Sequence, residues 1–329
     1  MKLNRNASYS LLAVLQGKAT ASEVNQWLKI NTTRSTQRAL ETLHAHNLVL
    51  KSGPSNNPKY APSYQNILLN SIDTKMLEDE KRPSSTYRYA LLDYLEMTSK
   101  DTLDELLNLP KRDIKDLGKK ELEHLTIELS WKSSALEGNT YSLLDTELLL
   151  KEGLRAKEKT DFETQMILNH KEAIDFIREN PELFKEEICS QSVIELHKII
   201  GKNIGIKSGV RKRTVHISSS NYQPETDPHK LKESLDRTLG IINNHNNPFI
   251  KSLLALALIP YLQHFEDGNK RTGRLMSNAI LISYLGYGYS LRNVDAKDLA
   301  LAYLSFYEIN NLEPLYKIFI NEINQKGQV

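Results

Sequence analysis

Residues 263–274, which read QHFEDGNKRTGR, bring a carboxylate, a turn signal and two arginines together. An apolar run precedes this segment and a helical pattern follows it, so two core helices joined by a tight loop are predicted. The loop amides would then lie at the start of the second helix, where the helix dipole and unpaired N–H groups favour an anion. The residues that would supply these amides are Gly268, Asn269 and Lys270.

The charged side chains of the same segment suit a phosphate group and a metal ion. Arg271 and Arg274 are three residues apart, about one helical turn, so both can reach one anion from the same face. Asp267 adds a hard oxygen ligand, which suits a Mg²⁺ ion that bridges to phosphate. A capped surface helix would require fewer of these features, so a phosphate site is the favoured interpretation.

This segment resembles the signature of the Fic family, His-x-Phe-x-(Asp/Glu)-Gly-Asn-(Gly/Lys)-Arg-x-x-Arg, at every position except the first. The positions that match are Phe265, Asp267, Gly268, Asn269, Arg271 and Arg274. The resemblance implies that the protein uses ATP and Mg²⁺ to transfer AMP to a Ser, Thr or Tyr hydroxyl of a protein target. Asp267 would take the metal, and the two arginines would hold the phosphates.

The first position of the signature, which the family fills with its catalytic histidine, holds Gln263 here. An amide has no useful proton affinity near pH 7, so Gln263 can orient a hydroxyl but cannot deprotonate it. His264 is one residue late and is the substitute base in one interpretation, although a shift of one residue turns a helical side chain by about 100°. Loss of a general base costs about 10²- to 10⁴-fold in rate, so binding would persist while transfer became slow.

Lys270 occupies a position where many Fic proteins have glycine. The Doc branch of the family has lysine there and transfers phosphate rather than AMP, but Doc-like members lack the arginine found here as Arg274. An autoinhibited AMP transferase is therefore the leading hypothesis. Two alternatives stay open: a catalytically weak nucleotide-sensing regulator that acts through the N-terminal domain, and a Doc-like phosphotransferase.

Residues 133–138 resemble the inhibitory helix motif found upstream of the core in many Fic proteins, (Ser/Thr)-x-x-x-Glu-(Gly/Asn). Ser133, Glu137 and Gly138 occupy its fixed positions, at the end of a helical pattern that stops at the glycine. The resemblance implies that Glu137 lies across the phosphate site and pairs with Arg274, which otherwise holds the γ-phosphate. Such a carboxylate would block the productive nucleotide pose.

The β-branched alternation over Thr214, Val215, His216 and Ile217 lies between a glycine and a Ser/Asn cluster, and it predicts a short hairpin. It resembles the Fic flap, whose exposed edge holds a target segment as an added strand. An incidental surface hairpin is the alternative.

Residues 1–66 resemble a winged helix-turn-helix domain. Three helical patterns, the second opened by an N-cap signal at Thr20, precede two strand patterns that flank a Gly-Pro-Ser-Asn-Asn turn cluster. In that fold Arg34, Gln37 and Arg38 would face the major groove of DNA. Use of the same module for dimerisation or domain packing is an equal alternative, since fold and function are separable.

The predicted fold class is mainly α: a Fic/Fido helical core with a short β-hairpin flap, plus an N-terminal winged helix-turn-helix domain. A chain of 329 residues is long for one compact core, so several domains are expected. The predicted division is a winged-helix domain at 1–66, a linker at 67–84, a helical segment with the inhibitory helix at 85–160, and the Fic core at 161–329. A further short helical pattern covers residues 103–109.

Two histidines on amphipathic patterns, His170 and His197, are interpreted as packed core residues, because no metal-ligand spacing links them to other candidates. The net charge of +2 does not favour nucleic acid, so any DNA contact must come from a local patch. The single cysteine, Cys189, fits a reducing compartment, and no apolar run approaches the ~20 residues of a membrane span. We expect a bacterial, cytoplasmic protein without a membrane partner that acts on a protein target. DNA, bound through the winged helix, is a partner in one interpretation, and a second copy of the chain is a partner in another.

Overall fold

The computed structural model describes residues 1–29, 32–98 and 119–326. The chain folds into two compact units, each assembled from three stretches of sequence. The first unit comprises Met1–Met97, Val215–Pro224 and Lys297–Lys317. The second is drawn from Thr98–Thr214, Glu225–Ala296 and Ile318–Val329. The units do not follow the four predicted segments, because stretches that are distant in sequence pack together in each of them.

The elements are mainly helical, which confirms the predicted fold class. The helices are α1 (Arg5–Leu15), α2 (Ala21–Leu28), α3 (Thr33–Ala45), α4 (Tyr64–Leu69), α5 (Tyr89–Met97), α6 (Lys119–Ala135), α7 (Leu143–Glu152), α8 (Asp161–Glu179), α9 (Ser190–Gly201), α10 (Pro228–Asn243), α11 (Pro248–Leu262), α12 (Asn269–Leu285), α13 (Ala296–Ile309) and α14 (Glu313–Lys326). The strands are β1 (Val49–Ser52), β2 (Lys59–Pro62), β3 (Ser85–Thr86) and β4 (Tyr222–Gln223). Two 3₁₀ helices span Thr74–Glu78 and Pro181–Phe184. Within the described ranges, no helix combines the length and apolarity that a membrane crossing needs.

The first unit begins with three helices, α1 to α3, and the hairpin of β1 and β2. The hairpin is antiparallel and pairs Val49 with Pro62. Helix α2 opens with a capping box, in which Thr20 Oγ1 accepts from the Glu23 N–H and the Glu23 carboxylate accepts from the Thr20 N–H. The helices and the hairpin occur in the predicted order, while their assignment as a winged helix stays a prediction.

Residues 67–84 are packed within the first unit instead of forming the predicted linker. They contain the end of α4 and a 3₁₀ helix, and near their end Arg82 is buried against Glu308 of α13. Arg82 donates to both carboxylate oxygens of Glu308, at 2.6 and 2.7 Å. The polar composition resembled a linker, but a charge that is paired inside the unit can be buried. The helical pattern at residues 103–109 lies outside the described residues.

The predicted hairpin at residues 214–217 is wrong. Among the described residues, Thr214 to Ile217 have no strand assignment, and β4 pairs in parallel with β3. The alternating pattern is nevertheless real, since Thr214 and His216 are exposed while Val215 and Ile217 are half-buried. The chain turns at residues 218–219 and continues into β4, so no second strand folds back beside this segment.

In the second unit, α11 and α12 pack against each other along their lengths. Every residue of α11 from Phe249 to Leu262 is buried. The two helices are in tight contact where Gly273 lies against Pro260, since a Cβ built on Gly273 would come within 2.5 Å of the Pro260 Cγ. Glycine is therefore required at this crossing, which sets the distance between the helices that flank the loop.

Three further helices of the second unit position the candidate site. Helix α6 packs against α8, and both α8 and α9 pack against α12. Helix α6 ends at Ala135, and the turn after it carries Glu137 and Gly138. The helix therefore stops where the sequence predicted, with Glu137 just beyond its last turn.

Candidate functional site

The loop between α11 and α12 has the predicted position. Helix α11 ends at Leu262 and α12 begins at Asn269. Gly268 occupies the N-cap of α12 with φ 77°, a left-handed conformation that glycine adopts without strain. The start of α12 therefore has the backbone N–H groups that an anion site requires.

Asn269 and Gln263 brace this loop from the inside. Asn269 Oδ1 accepts from the Phe265 N–H at 3.0 Å, and Asn269 Nδ2 donates to Gln263 Oε1 at 3.1 Å. Gln263 Nε2 donates in turn to the Pro260 carbonyl at 2.7 Å. Both ends of the Gln263 amide are thus engaged within the loop, and the residue is 7% exposed. The residue at the histidine position of the signature serves the loop structure.

Glu137 lies against Arg274, as the resemblance to the inhibitory helix implied. Arg274 Nη2 donates to Glu137 Oε1 at 2.8 Å and to the Ser133 carbonyl at 3.0 Å. Arg274 Nε donates to Ser133 Oγ at 3.0 Å. The Arg274 side chain is 1% exposed and that of Glu137 is 18% exposed. We refer to Ser133, Glu137 and Arg274 as the Glu137 cluster.

The positive charges of Arg274, Lys270 and Arg271 stabilise the charged form of Glu137. Besides Arg274, Lys270 contributes an Nζ that lies 3.4 Å from Glu137 Oε2, and the lysine side chain is 40% exposed. Burial raises the pKa of the Glu137 carboxyl, but the charges of Arg274 and Lys270 and the hydrogen bond from Arg274 outweigh burial and lower the pKa overall. Glu137 is therefore ionised at neutral pH.

Arg271 is buried as well, with its side chain 3% exposed, but it has fewer partners. Its Nη2 donates to Asp267 Oδ2 at 3.2 Å, while Nε and Nη1 are buried without a hydrogen-bond partner among the described residues. Burial lowers the pKa of the guanidinium, against the charges of Asp267 and Glu137, which raise it. Since arginine stays protonated in proteins, the N–H groups of Nε and Nη1 are left for a ligand.

Asp267 is the exposed carboxylate of the site, with 68% of its side chain accessible. Its Oδ1 accepts from the Gly268 N–H at 2.6 Å. In the described part of the chain, no group of three or more His, Cys, Asp or Glu side chains could hold a metal ion. A metal at Asp267 would need further ligands from a bound phosphate and from water, which is how Mg²⁺ commonly binds.

His264 is buried, with 2% exposure. Its Nδ1 lies 3.3 Å from the Leu231 carbonyl, which can only accept, so Nδ1 carries the hydrogen. Burial lowers the pKa of the His264 ring to about 4. A substitute base must reach a target hydroxyl, and a buried, weakly basic ring is poorly suited to that role.

Sequence patterns place His170 and His197 in the core, yet each bonds directly to the site. His197 Nε2 donates to the Asp267 carbonyl at 2.9 Å, and its ring stacks on Phe265 with the centroids 3.6 Å apart. His170 Nε2 lies 2.9 Å from Ser133 Oγ. Burial lowers the pKa of His170 to about 3 and that of His197 to about 4. The inward face of an amphipathic helix was the available sequence signal, and it cannot distinguish a neighbour of the site from any other core residue.

Arg211 is a further site residue that the sequence did not reveal. It is 1% exposed, and its Nε donates to the Gln263 carbonyl at 2.6 Å while its backbone N–H donates to the His264 carbonyl at 3.0 Å. The guanidinium also donates to the carbonyls of Arg213, at 2.9 Å, and of Glu225. One buried side chain thus ties residues 213 and 225 to the loop.

The predicted DNA-contacting residues Arg34, Gln37 and Arg38 belong to the first unit and lie on one exposed face of α3. Glu41 shares this face and pairs with Lys51 at 2.6 Å, so the surface carries both signs of charge. A DNA or partner contact at this surface stays a prediction.

The amino-acid sequence is similar to known Fic proteins. The model of the Fic/DOC family matches residues 187–281. The protein adenylyltransferase Fic of Nematostella vectensis is 23% identical over 225 residues, which cover 66% of this chain and 51% of that protein. The protein adenylyltransferase fic-1 of Caenorhabditis elegans is 27% identical over 156 residues, which cover 45% of this chain and 30% of that protein. The chain therefore spans about half or less of the length of these relatives.

Solved Fic structures have a similar fold. Fic-1 from C. elegans superposes with a TM-score of 0.52 at 17% identity, covering 94% of this chain and 80% of that chain. A Fic family protein from Desulfovibrio desulfuricans G20 gives a TM-score of 0.53 at 18% identity, covering 75% and 76%. The region that matches the family model contains the loop from Gln263 to Arg274. Residues 187–281 of the chain thus form a Fic/DOC family domain.

Proposed function

We propose that the protein is an ATP-binding AMP transferase that modifies a Ser, Thr or Tyr hydroxyl of a protein target and is autoinhibited by Glu137. The observation that carries the proposal is Arg271, whose Nε and Nη1 are buried without a partner in the described part of the chain. A buried N–H without a partner costs about 1–3 kcal/mol, and a phosphate oxygen would remove that cost through a charge-assisted hydrogen bond. The N–H groups at the start of α12 serve the same anion.

The names of the relatives, protein adenylyltransferases, support this type of reaction. In such a transfer the target oxygen forms a bond to the α-phosphorus of ATP, the bond from that phosphorus to diphosphate breaks, and the hydroxyl proton passes to solvent water. Arg271 and Arg274 would neutralise charge on the phosphate oxygens, together with the loop amides. Asp267 would hold Mg²⁺, and the bound ion would add positive charge at the phosphates.

Autoinhibition follows in this proposal from the geometry of Arg274. Its Nε and Nη2 are both engaged by the Glu137 cluster, so they are not available to a phosphate. Glu137 also places negative charge where the γ-phosphate would lie, which opposes binding by repulsion. Removal of the carboxylate should leave Arg274 held by the two Ser133 hydrogen bonds alone, so that a phosphate can compete for it.

Transfer is expected to be slow even without Glu137, because Gln263 cannot accept the hydroxyl proton. Its amide oxygen already accepts from Asn269, and its Nε2 donates to Pro260. Without a general base, the transfer rate should be about 10²- to 10⁴-fold lower.

The protein target would bind at residues 214–217. Val215 and Ile217 are half-buried and alternate with the exposed Thr214 and His216. An extended segment with this alternation can accept a target strand through main-chain hydrogen bonds.

The proposal is tested by incubation with ATP labelled at the α- or the γ-phosphate. The full chain, the Glu137→Gly variant and the Glu137→Gly/Gln263→His variant are compared. Label from the α-phosphate on protein, rising in that order, is the expected result. Label from the γ-phosphate on protein would show that the reaction is phosphate transfer and not AMP transfer. A Glu137→Gly variant that does not bind ATP would refute the nucleotide site.

Two alternatives have a specific observation in their favour. A nucleotide-sensing regulator is favoured by the full engagement of the Gln263 amide, and it would act on DNA or a partner through Arg34, Gln37 and Arg38. A Doc-like phosphotransferase is favoured by Lys270, which stands in the loop beside Glu137. ATP binding without transfer of either label supports the regulator. A cytoplasmic location and self-association stay predictions from the sequence.

A further inference from the structure

We propose that His170 is a positioning residue that orients the Ser133 hydroxyl so that Arg274 stays paired with Glu137. The inference rests on the proposed autoinhibition and extends it to a buried residue of α8. His170 is fully buried and, among the described residues, shares no hydrogen bond with Glu137 or Arg274. Its hydrogen bond to Ser133 Oγ links it to the Glu137 cluster.

The hydrogen-bond partners of His170 determine where its proton lies. Nδ1 is 2.9 Å from the Met166 carbonyl, which can only accept, so Nδ1 carries the hydrogen. A second contact of Nδ1, to Ser134 Oγ at 3.4 Å, is longer and weaker. Because burial lowers the pKa of the ring to about 3, the ring is neutral at physiological pH and its lone pair lies at Nε2. Nε2 therefore accepts from the Ser133 hydroxyl at 2.9 Å.

This assignment determines which way the Ser133 hydroxyl points. A hydroxyl has one hydrogen, and Ser133 donates it to His170 Nε2. The lone pairs of Ser133 Oγ therefore face Arg274 Nε, which lies 3.0 Å away. A hydroxyl that donates to one partner becomes a better acceptor for another. His170, Ser133 and Arg274 are all buried, at 0%, 0% and 1% exposure, so water cannot replace any of these bonds easily.

Loss of His170 should therefore have a defined sign. Without an acceptor at position 170, the Ser133 hydrogen is free to rotate, and in some orientations it points toward the guanidinium. Arg274 is then held less firmly in its pairing with Glu137, and ATP competes for it more easily. If His170 had a merely structural role, its loss would lower the stability of the protein without tightening ATP binding.

The test is ATP affinity, measured by titration calorimetry on the full chain. His170→Phe removes the acceptor and should tighten ATP binding about fivefold, the lower end of the usual coupling between sites. His170→Gln keeps an acceptor oxygen near the Nε2 position and should stay within about twofold of the unaltered protein. In the Glu137→Gly protein, His170→Phe should have no further effect on ATP affinity, because Arg274 no longer has a carboxylate partner there.

A matched control separates this effect from general loss of stability. Ile177 is fully buried on the same helix, two turns beyond His170. Ile177→Ala should lower the melting temperature without tightening ATP binding. Tightening by Ile177→Ala as large as that by His170→Phe would overturn the proposal.

The remaining outcomes are also decisive. If Glu137→Gly binds ATP more tightly but His170→Phe does not, autoinhibition stands and the role of His170 is refuted. If Glu137→Gly does not bind ATP, the nucleotide site itself is refuted, and this inference with it. If His170→Phe fails to fold, Ser133→Ala decides, because His170 acts through that hydroxyl. Ser133→Ala must tighten ATP binding, and an unchanged affinity overturns the proposal.

Discussion

Arg271 and Arg274 lie one turn apart on α12, and both are buried, with side chains 3% and 1% exposed. Their surroundings differ. Arg274 donates to Glu137 and Ser133 through Nε and Nη2, whereas Arg271 keeps Nε and Nη1 without a partner among the residues described. Burial alone therefore does not distinguish the two arginines, but the satisfaction of their N–H groups does.

The two arginines are thus the same type of side chain in two different conditions, one paired and one largely unpaired. Arg274 is bound to a carboxylate supplied by the chain itself, so its desolvation is offset in the absence of nucleotide. Arg271 has Asp267 as its paired carboxylate, and that side chain is 68% exposed. In the proposed anion site, Glu137 therefore occupies Arg274, while Arg271 keeps N–H groups that a phosphate could use.

The largest expected effect is on folding stability. Arg274→Met should lower the free energy of unfolding by about 3 kcal/mol, because it leaves Glu137 largely buried with the longer Lys270 contact as its remaining ion pair. Arg271→Met should change it by less than about 1 kcal/mol, since the lost charge was poorly paired. Denaturant titration without nucleotide measures both. Equal losses would mean that the two arginines are equivalent after all.

The same pair of substitutions should differ in ATP binding. In the unaltered chain, Arg271→Met should weaken ATP binding about 10- to 100-fold, the value of one or two charge-assisted hydrogen bonds. Arg274→Met should have little effect there, because Glu137 already engages that arginine. In the Glu137→Gly protein both substitutions should weaken binding. Arg292→Met, which removes an exposed arginine paired with Glu128, is the control.

A smaller effect is expected at Lys270. Its ion pair with Glu137 is 3.4 Å long and 40% exposed on the lysine side, so Lys270→Ala should lower stability by about 0.5 kcal/mol. The difference from the unaltered protein should shrink in high salt, which screens exposed pairs. If the stability difference between Lys270→Ala and the unaltered protein persists in 1 M salt, Lys270 pairs with Glu137 as a shielded partner, as Arg274 does.

The smallest expected effect concerns pH: the contribution of Glu137 to ATP affinity should not change near neutral pH. The pKa of Glu137 is lowered from 4.5, so its pairing is present above that value and is lost as the pH falls through the lower, folded-state pKa. The ratio of ATP affinities between Glu137→Gln and the unaltered protein should therefore stay constant from pH 8 to about 5.5.

The free energy of unfolding should decrease as the pH is lowered over part of that range. The pKa values of His170, His197 and His264 are lowered from 6.5 to about 3, 4 and 4, so the unfolded chain binds protons first and stability is lost below pH 6.5. The decline should be equal in Glu137→Gln. A decline that disappears in this variant would assign it to Glu137 rather than to the histidines.

The loop and its ion pair could be predicted because their signals are local. The turn residues before Asn269 mark the start of α12, and the spacing of Arg271 and Arg274 places both on one turn. The pairing of Glu137 with Arg274 joins residues that are distant in sequence, and the family resemblance supplied it. Physical reasoning on either segment alone would not have brought them together.

The parts that were missed depend on contacts through space. Polar composition at residues 67–84 resembled a linker because Glu308, which neutralises Arg82, lies in a different stretch of sequence. The hairpin at 214–217 was predicted from alternation, a pattern that shows an extended segment but not what lies beside it. His170 was classed as core correctly, yet its bond to Ser133 has no sequence signature.

The crossing of α11 and α12 has a consequence for how this sequence can change in evolution. A side chain at position 273 would come within 2.5 Å of one ring carbon of Pro260 and 2.7 Å of another. Even a single methyl group would force the helices apart, and the loop they carry would lose its geometry. A side chain at position 273 therefore requires that position 260 change first, so the order of the two substitutions is constrained.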